Sequence, residues 1–142
     1  MSKYNNHKIS NAFGNFDGEQ EWYRFTFLND KLKNGEITNL KRQVVFTLLP
    51  AQYKVVTKQL KTKVKVVQKE VEQACTYIAD FTYERDGELI VEDVKGESKS
   101  YFKGKKFSTQ TDVFRLKKKM LFYFFGIEIQ IVTSPTQWDK TK

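Results

Sequence analysis

Asp86-Gly87 is the most constraining dipeptide in this 142-residue chain. It lies between two apolar runs, "TYIADFTY" (76–83) and "LIVEDVK" (89–95). A two-residue hairpin turn of type I′ needs positive φ at both central positions, and Asp-Gly supplies it. The stretch therefore reads as two antiparallel strands, from about Thr76 to Tyr83 and from about Leu89 to Lys95. With Asp86 and Gly87 as the loop, Arg85 pairs with Glu88, Tyr83 with Ile90, Thr82 with Val91, and Asp80 with Asp93. A loop of odd length would shift that register.

The register raises a charge problem. Two carboxylates directly opposite have Cβ atoms about 4.5–5.5 Å apart, and like charges so placed are destabilising. Side chains alternate along a strand, so Lys95 shares the face of Asp93 while Glu92 points to the other. Asp80, Asp93 and Lys95 then converge on one face. A hard divalent cation held by oxygen ligands offsets the repulsion, and Mg²⁺ is the usual choice beside phosphate. The alternative is a solvated strand face on which Lys95 neutralises Asp93.

These acids lie in a chain of formal net charge +8. Residues 54–69 hold six lysines and no acid, and residues 95–119 hold nine Lys or Arg against Glu97 and Asp112. Such patches suit a polyanion, of which nucleic acid is the commonest, or they are a solvated lysine-rich surface. The single cysteine, Cys75, excludes an intrachain disulfide, and lone His7 leaves no zinc-like cluster. "MSKYNNHKIS" lacks the apolar core of a signal peptide. "MLFYFFGIEIQIV" is short for a membrane span and carries Glu128 and Gln130. A soluble, cytoplasmic protein is expected.

The remaining elements surround the hairpin. Residues 1–15 and 133–142 read as flexible ends of a single domain. "FDGEQEWYRFTFLNDKLKNGEI" reads as a helix with Asp17 as N-cap, Gly35 as its stop, and Phe25, Leu28 and Leu32 on its apolar stripe. "VVFTLL" (44–49) is a strand ended by Pro50. Residues 51–69 fit an extended basic arm, a hairpin or a short helix. "GESKSYFKGKKFSTQT" is a basic loop. A second helix runs from Asp112 to Phe125, capped by Thr109 or Thr111 and stopped by Gly126. Its apolar side is expected to carry Val113, Leu116, Met120, Leu121 and Phe124. "IEIQIV" (127–132) alternates as a half-buried strand. Together these elements make an α/β fold, a central mixed β-sheet flanked by helices.

Each helix points one ionisable group inward. Glu21 lies four residues before Phe25 on the first stripe, where an unpaired acid is costly. Lys117 falls between Val113 and Met120 on the second, while Arg115, Lys118 and Lys119 lie outside the arc. Glu21 also fits an exposed first-turn acid favoured by the helix dipole, and Lys117 a snorkelling lysine at the edge of an apolar face.

In this order, helical Glu21, then "TYIADFTY" with Asp80, then "VEDVKG" with Asp93 and Lys95, then a helix, the chain resembles the PD-(D/E)XK nuclease superfamily, whose core is restriction-endonuclease-like. It is more closely similar to a phage family of Holliday junction resolvase-like endonucleases. "SKYNN", "FDGEQEW", "GEITNLKRQVVFTLLP", "TDVFRLKKKM" and "FGI" carry that likeness across most of the chain. Ala79 stands where the superfamily commonly has Pro, and Asp93 where Glu is commoner.

The resemblance implies a metal-dependent endodeoxyribonuclease acting on branched DNA. Asp80, Asp93 and the backbone carbonyl of Val94 bind Mg²⁺ or Mn²⁺ in this reading, with Glu21 completing the site directly or through water. Lys95 orients the attacking water or stabilises charge on the phosphate. Gln43 lines the site and Lys117 touches a phosphate. Lys99, Lys103, Lys105, Lys106, Arg115, Lys118 and Lys119 contact neighbouring phosphates. A homodimer is expected, because two strands must be cut at a Holliday junction. Two rivals remain: a nickase or flap/duplex nuclease of the same fold, and a non-catalytic basic DNA-binding protein.

Overall fold

The computed structural model describes residues 8–95, 101–102, 105–106 and 110–138. Its centre is a four-stranded mixed sheet. The strands are β3 (Thr38–Leu49), β6 (Cys75–Arg85), β7 (Glu88–Val94) and β10 (Ile129–Val132), in the spatial order β10-β7-β6-β3. β3, β6 and β7 run antiparallel in turn, and β10 lies parallel to β7. That parallel return needs a crossover, which α2 (Asp112–Phe125) supplies.

The Asp-Gly turn has φ of 53° at Asp86 and 78° at Gly87, as the type I′ assignment requires. The register is the expected one, with Arg85 opposite Glu88 and Thr82 opposite Val91. β3 begins at Thr38, six residues before the apolar run "VVFTLL", because its first half pairs with β6 as an edge strand whose outward side chains are polar.

Adjacent strand residues point to opposite faces, and each face of the sheet takes one helix. Ile90, Phe81 and Tyr83 cluster with Leu28 of α1 (Glu19–Lys33) and with Ile37. Val91, Tyr77 and Ala79 cluster with Phe114 and Leu121 of α2, and with Leu48 and Ile129.

The expected stripes are met in part: Phe25 and Leu28 of α1 and Met120 and Leu121 of α2 pack into the core. α1 starts after Gly18 rather than Asp17, and it buries Glu21, Arg24 and Leu28 while Leu32 is exposed. α2 is capped by Thr111, whose side chain accepts the Phe114 N–H at 3.0 Å, and it ends on Gly126 at φ 68°. It buries Phe114 and Leu121, while Val113, Leu116 and Phe124 are exposed. Periodicity fixed the helix but not which of two adjacent apolar arcs meets the sheet.

Residues 9–16, within a stretch expected to be loose, form a small hairpin of β1 (Ile9–Asn11) and β2 (Gly14–Phe16). Trp138, in the expected tail, stacks on Tyr83 and meets Phe27 edge-on. The ambiguous segment is a hairpin, β4 (Gln52–Gln59) with β5 (Val64–Glu72), joined to no third strand among the described residues. β8 (Tyr101–Phe102) and β9 (Lys105–Lys106) pair within the basic loop. Among the described residues no helix is long and apolar enough to cross a membrane.

Candidate active site

The sheet forks at Asp80. The β6–β7 ladder runs as far as Phe81 opposite Glu92 and stops one pair short of Asp80 and Asp93. Asp80 instead reaches across, and its Oδ2 accepts the Val94 N–H at 2.8 Å. On its other side the β3–β6 ladder also skips a pair. Arg42 opposes Phe81 and Val44 opposes Ala79, leaving Gln43 and Asp80 out between them.

Gln43 has φ of 52°, a left-handed conformation uncommon for a residue with a side chain. The break resets the side-chain alternation. Ala79 and Phe81, two apart on one strand, belong to the clusters on opposite faces. Asp80 therefore sits where the strand changes face, within reach of groups from both sides.

From the α1 side comes Glu21. Gln43 Nε2 donates to Glu21 Oε1 at 3.0 Å and lies 3.5 Å from Asp80 Oδ1, linking the two acids. Arg42 Nη2 is 3.7 Å from Glu21 Oε1. Burial pushes the Glu21 pKa up, and the nearby Asp17 charge adds to this; the Asp17 hydrogen bond, Arg42 and Gln43 oppose it.

From the α2 side come Asp93 and Lys95. Tyr77 donates its hydroxyl to Asp93 Oδ2 at 2.8 Å, and Lys95 Nζ stands 3.0 Å from Asp93 Oδ1. Lys95 Nζ also lies 4.3 Å from the centre of the Phe114 ring, a cation–π placement that holds the ammonium at the site. Asp93 Oδ1 is buried, and the Lys95 ammonium faces it as an ion pair rather than in hydrogen-bond alignment. Burial, with the Asp93 charge beside it, raises the Tyr77 pKa and keeps the hydroxyl a donor.

Asp80 is the most perturbed acid. Its pKa is pushed up to about 7, chiefly by burial and further by the charges of Asp93 and Glu21. The Val94 N–H and the Lys95 charge oppose that rise. Asp80 feels the charges of Asp93, Glu21 and Lys95; the hairpin register predicts Asp80, Asp93 and Lys95 together, and the direct Asp80–Asp93 ladder pair it assumes is not formed.

Among the described residues no three His, Cys, Asp or Glu side chains close into a ready metal cage. Gln43 and Lys95 stand between the acids instead. The donor set nonetheless fits a hard divalent cation. Asp93 Oδ1 is a buried carboxylate oxygen whose charge partner is Lys95 Nζ, and Asp80 is a carboxyl whose ionised form needs nearby positive charge.

Residues 1–131 match a family profile described as a protein of unknown function, DUF1064. The chain belongs to this family. No curated protein and no solved structure matches it. The DUF1064 span takes in α1, the fork and α2, so Glu21, Gln43, Asp80, Asp93, Lys95 and Lys117 all lie inside it.

The other expected residues of this DUF1064 chain are more dispersed. Lys117 is half-buried on the inward arc with Phe114 and Leu121, and it makes no ion pair among the described residues. Arg115, Lys118 and Lys119 line a surface pocket of about 400 Å³ with Gln110, Phe122 and Glu128; none of the four central site residues lines it. Arg115 is paired with Asp112 at 2.7 Å. Lys105 and Lys106 are placed by their backbone in β9, and Lys99 and Lys103 lie outside the described residues.

Three supports escaped the sequence reading. Arg42 stacks its guanidinium 3.6 Å from the centre of the Phe16 ring and donates to Asn15 O at 2.6 Å, so it braces Glu21 against the β1–β2 hairpin. Tyr77 holds Asp93. On the opposite face Glu92 is buried in a fork-to-fork pair with Arg24, at 2.8 and 2.5 Å. Tyr83 donates to the same carboxylate at 2.6 Å, and Arg24 Nη1 reaches the carbonyls of Pro135 and Gln137. "RQ" at 42–43 is a visible signal in retrospect, since both polar residues interrupt the approach to an apolar run.

Proposed function

We propose that this protein is a divalent-metal-dependent DNA endonuclease that hydrolyses phosphodiester bonds in branched DNA, as a phage Holliday junction resolvase. The observation that carries the reading is the cluster at the fork, buried Glu21 and Asp93 with half-buried Asp80 and Lys95, in a chain whose charge is +8. Buried acids clustered beneath a basic surface cost free energy unless a cation joins them. The order of these residues along helix, strand and strand supports the PD-(D/E)XK, restriction-endonuclease-like reading of the core.

In this proposal Asp80, Asp93 and the Val94 carbonyl hold Mg²⁺ or Mn²⁺, with Glu21 as a direct or water-linked fourth group. A bound divalent cation lowers the pKa of its water and offsets negative charge growing on the phosphate. Lys95 orients the attacking water or neutralises phosphate charge, starting from its place 3.0 Å from Asp93. Gln43 keeps Glu21 and Asp80 aligned. Lys117 is assigned an adjacent phosphate, and Arg115, Lys118 and Lys119 phosphates further out.

Cutting a four-way junction requires two nicks, so a symmetric homodimer in the cytoplasm of the host cell belongs to the proposal. Phe122, Tyr123, Phe124 and Phe125 are exposed at the end of α2 and supply apolar surface for a second copy.

The deciding experiment is cleavage of a synthetic four-way junction, a flap and a linear duplex in Mg²⁺ and in EDTA, with Asp93→Ala as control. Preferential junction cutting that needs Mg²⁺ and Asp93 is expected. Equal rates on the three substrates favour the nickase or flap reading. Salt-sensitive binding with no cleavage in Mg²⁺ or Mn²⁺ favours the non-catalytic DNA-binding reading.

A further inference from the structure

The β4–β5 hairpin continues the β3–β6 ribbon. The partner offset of Val45 with Ile78 is the same as that of Lys58 with Lys65, although Pro50-Ala51 and Gln73-Ala74 interrupt the pairing. Leu60 N–H donates to Lys63 O at 2.8 Å and closes the tip. At roughly 3.3 Å per residue, the eight residues of β4 extend about 26 Å. Almost every side chain on the arm is exposed, on both faces.

The pairing sorts those side chains. One face carries Lys54 opposite Lys69, Val56 opposite Val67 and Lys58 opposite Lys65. The other carries Tyr53, Val55, Val64 and Val66 with Glu70, and a second acid, Glu72, lies opposite Gln52 at the base of the arm, where the register shifts. Lys61 and Lys63 add charge at the tip, and no acid lies between residues 54 and 69.

Two directly opposed lysine pairs on a two-stranded ribbon oppose its folding. A ribbon with neither face covered is itself marginal in water. A polyanion laid along the lysine face removes the repulsion and supplies the missing contact.

We propose that this face is a docking surface for the phosphate backbone of a nucleic-acid duplex. Charge complementarity argues for the occupant, and so does shape. A two-stranded ribbon is an element that the major groove of B-DNA admits, and lysines at both ends of the face reach phosphates from it. The proposal does not depend on the fork cutting anything.

The test is binding of the full chain to a linear duplex in EDTA across a salt series. Each phosphate contact contributes a slope of about 0.9 in log K against log salt. Lys54→Gln with Lys69→Gln, and separately Lys58→Gln with Lys65→Gln, are each expected to lower the slope by about 2. All four together are expected to lower it by about 3 to 4. Lys31→Gln with Lys33→Gln, at the end of α1 away from Glu21, removes the same charge as one arm pair and is expected to leave the slope nearly unchanged.

Equal losses from the arm pairs and the control pair would overturn the proposal, because they would mean bulk charge only. So would an unchanged slope in the fourfold variant. Arm-dependent binding to phosphatidylserine vesicles, with none to duplex, would replace nucleic acid by a lipid surface. Unchanged circular dichroism separates lost binding from lost folding. Because the measurement excludes metal, a failure of cleavage leaves this result standing, and the reverse.

Discussion

The Val94 amide donates to Asp80 Oδ2 at 2.8 Å across the point where β6 and β7 part. That single bond puts an acid from one strand beneath the backbone of the next, between Asp93 and Lys95. Burial outweighs the lowering effect of that bond and pushes the Asp80 pKa up to about 7.

Stability should therefore fall as pH rises in the absence of divalent cations. The folded pKa of Asp80 is raised from 3.8 to about 7, so the folded state binds the proton more tightly than the unfolded chain. Its contribution is fully present below pH 3.8 and is lost as pH climbs through about 7. Asp80→Asn keeps an acceptor for Val94 and removes the charge. Denaturant melts at pH 8 should show a gain on the order of 2 kcal/mol, shrinking towards pH 4.

Divalent cations should reverse that pH trend. Mg²⁺ or Mn²⁺ at a hundred times its Kd should stabilise the wild-type chain by about 2.7 kcal/mol. Asp80→Asn combined with Asp93→Asn should abolish the shift. Thermal melts in EDTA and in Mg²⁺ provide the comparison, and an equal shift in both proteins would place the cation elsewhere.

Gln43 separates a backbone role from a side-chain role. Its φ of 52° favours glycine, so Gln43→Gly should leave stability unchanged or raise it by up to about 1 kcal/mol. Gln43→Val should cost about 1–3 kcal/mol through strain. Both lose the link between Glu21 and Asp80, so both should lower junction cleavage per folded molecule, about tenfold on the proposed reading.

The Arg24–Glu92 pair should matter for folding and not for chemistry. It is buried on the face away from Asp93, and removing one partner leaves an uncompensated charge. Arg24→Ala should cost about 3–5 kcal/mol in urea melts. Cleavage per folded molecule should change little. A large loss of rate at full folding would assign the pair to the site.

Tyr77→Phe removes the hydroxyl that holds Asp93 and should cost about 1.5–3 kcal/mol, the range for a hydrogen bond to a charged group. Lys95 alone would then position Asp93, so the metal affinity seen in Mg²⁺ melts should also drop. A variant that melts lower but binds Mg²⁺ normally would limit Tyr77 to a packing role.

The hairpin was legible because turn chemistry and alternation are local. Asp86-Gly87 set the register, and Lys95 and Asp93 followed from it onto one face. Glu21 was legible as a misfit on an apolar stripe. The fork was not, because it arises where Gln43 leaves the ladder, and no local preference places a glutamine at positive φ. The orientation of α2 was also hidden. "VFRLKKKMLFYFF" offers apolar residues on two neighbouring arcs, and only the shape of the sheet selects Phe114, beside the expected Leu121, over Val113 and Leu116. The Arg24–Glu92 pair joins residues 68 apart, and nothing in either neighbourhood announces the other.

The ribbon carries one more consequence. β3 and β6 bear Gln43 and Asp80, and the same two chains, after the break at Pro50, become the lysine arm. A twist of the arm is therefore carried along one ribbon, through the break at Pro50-Ala51 and Gln73-Ala74, to the unpaired positions 43 and 80. Load at the tip and alignment of the acids are mechanically in series.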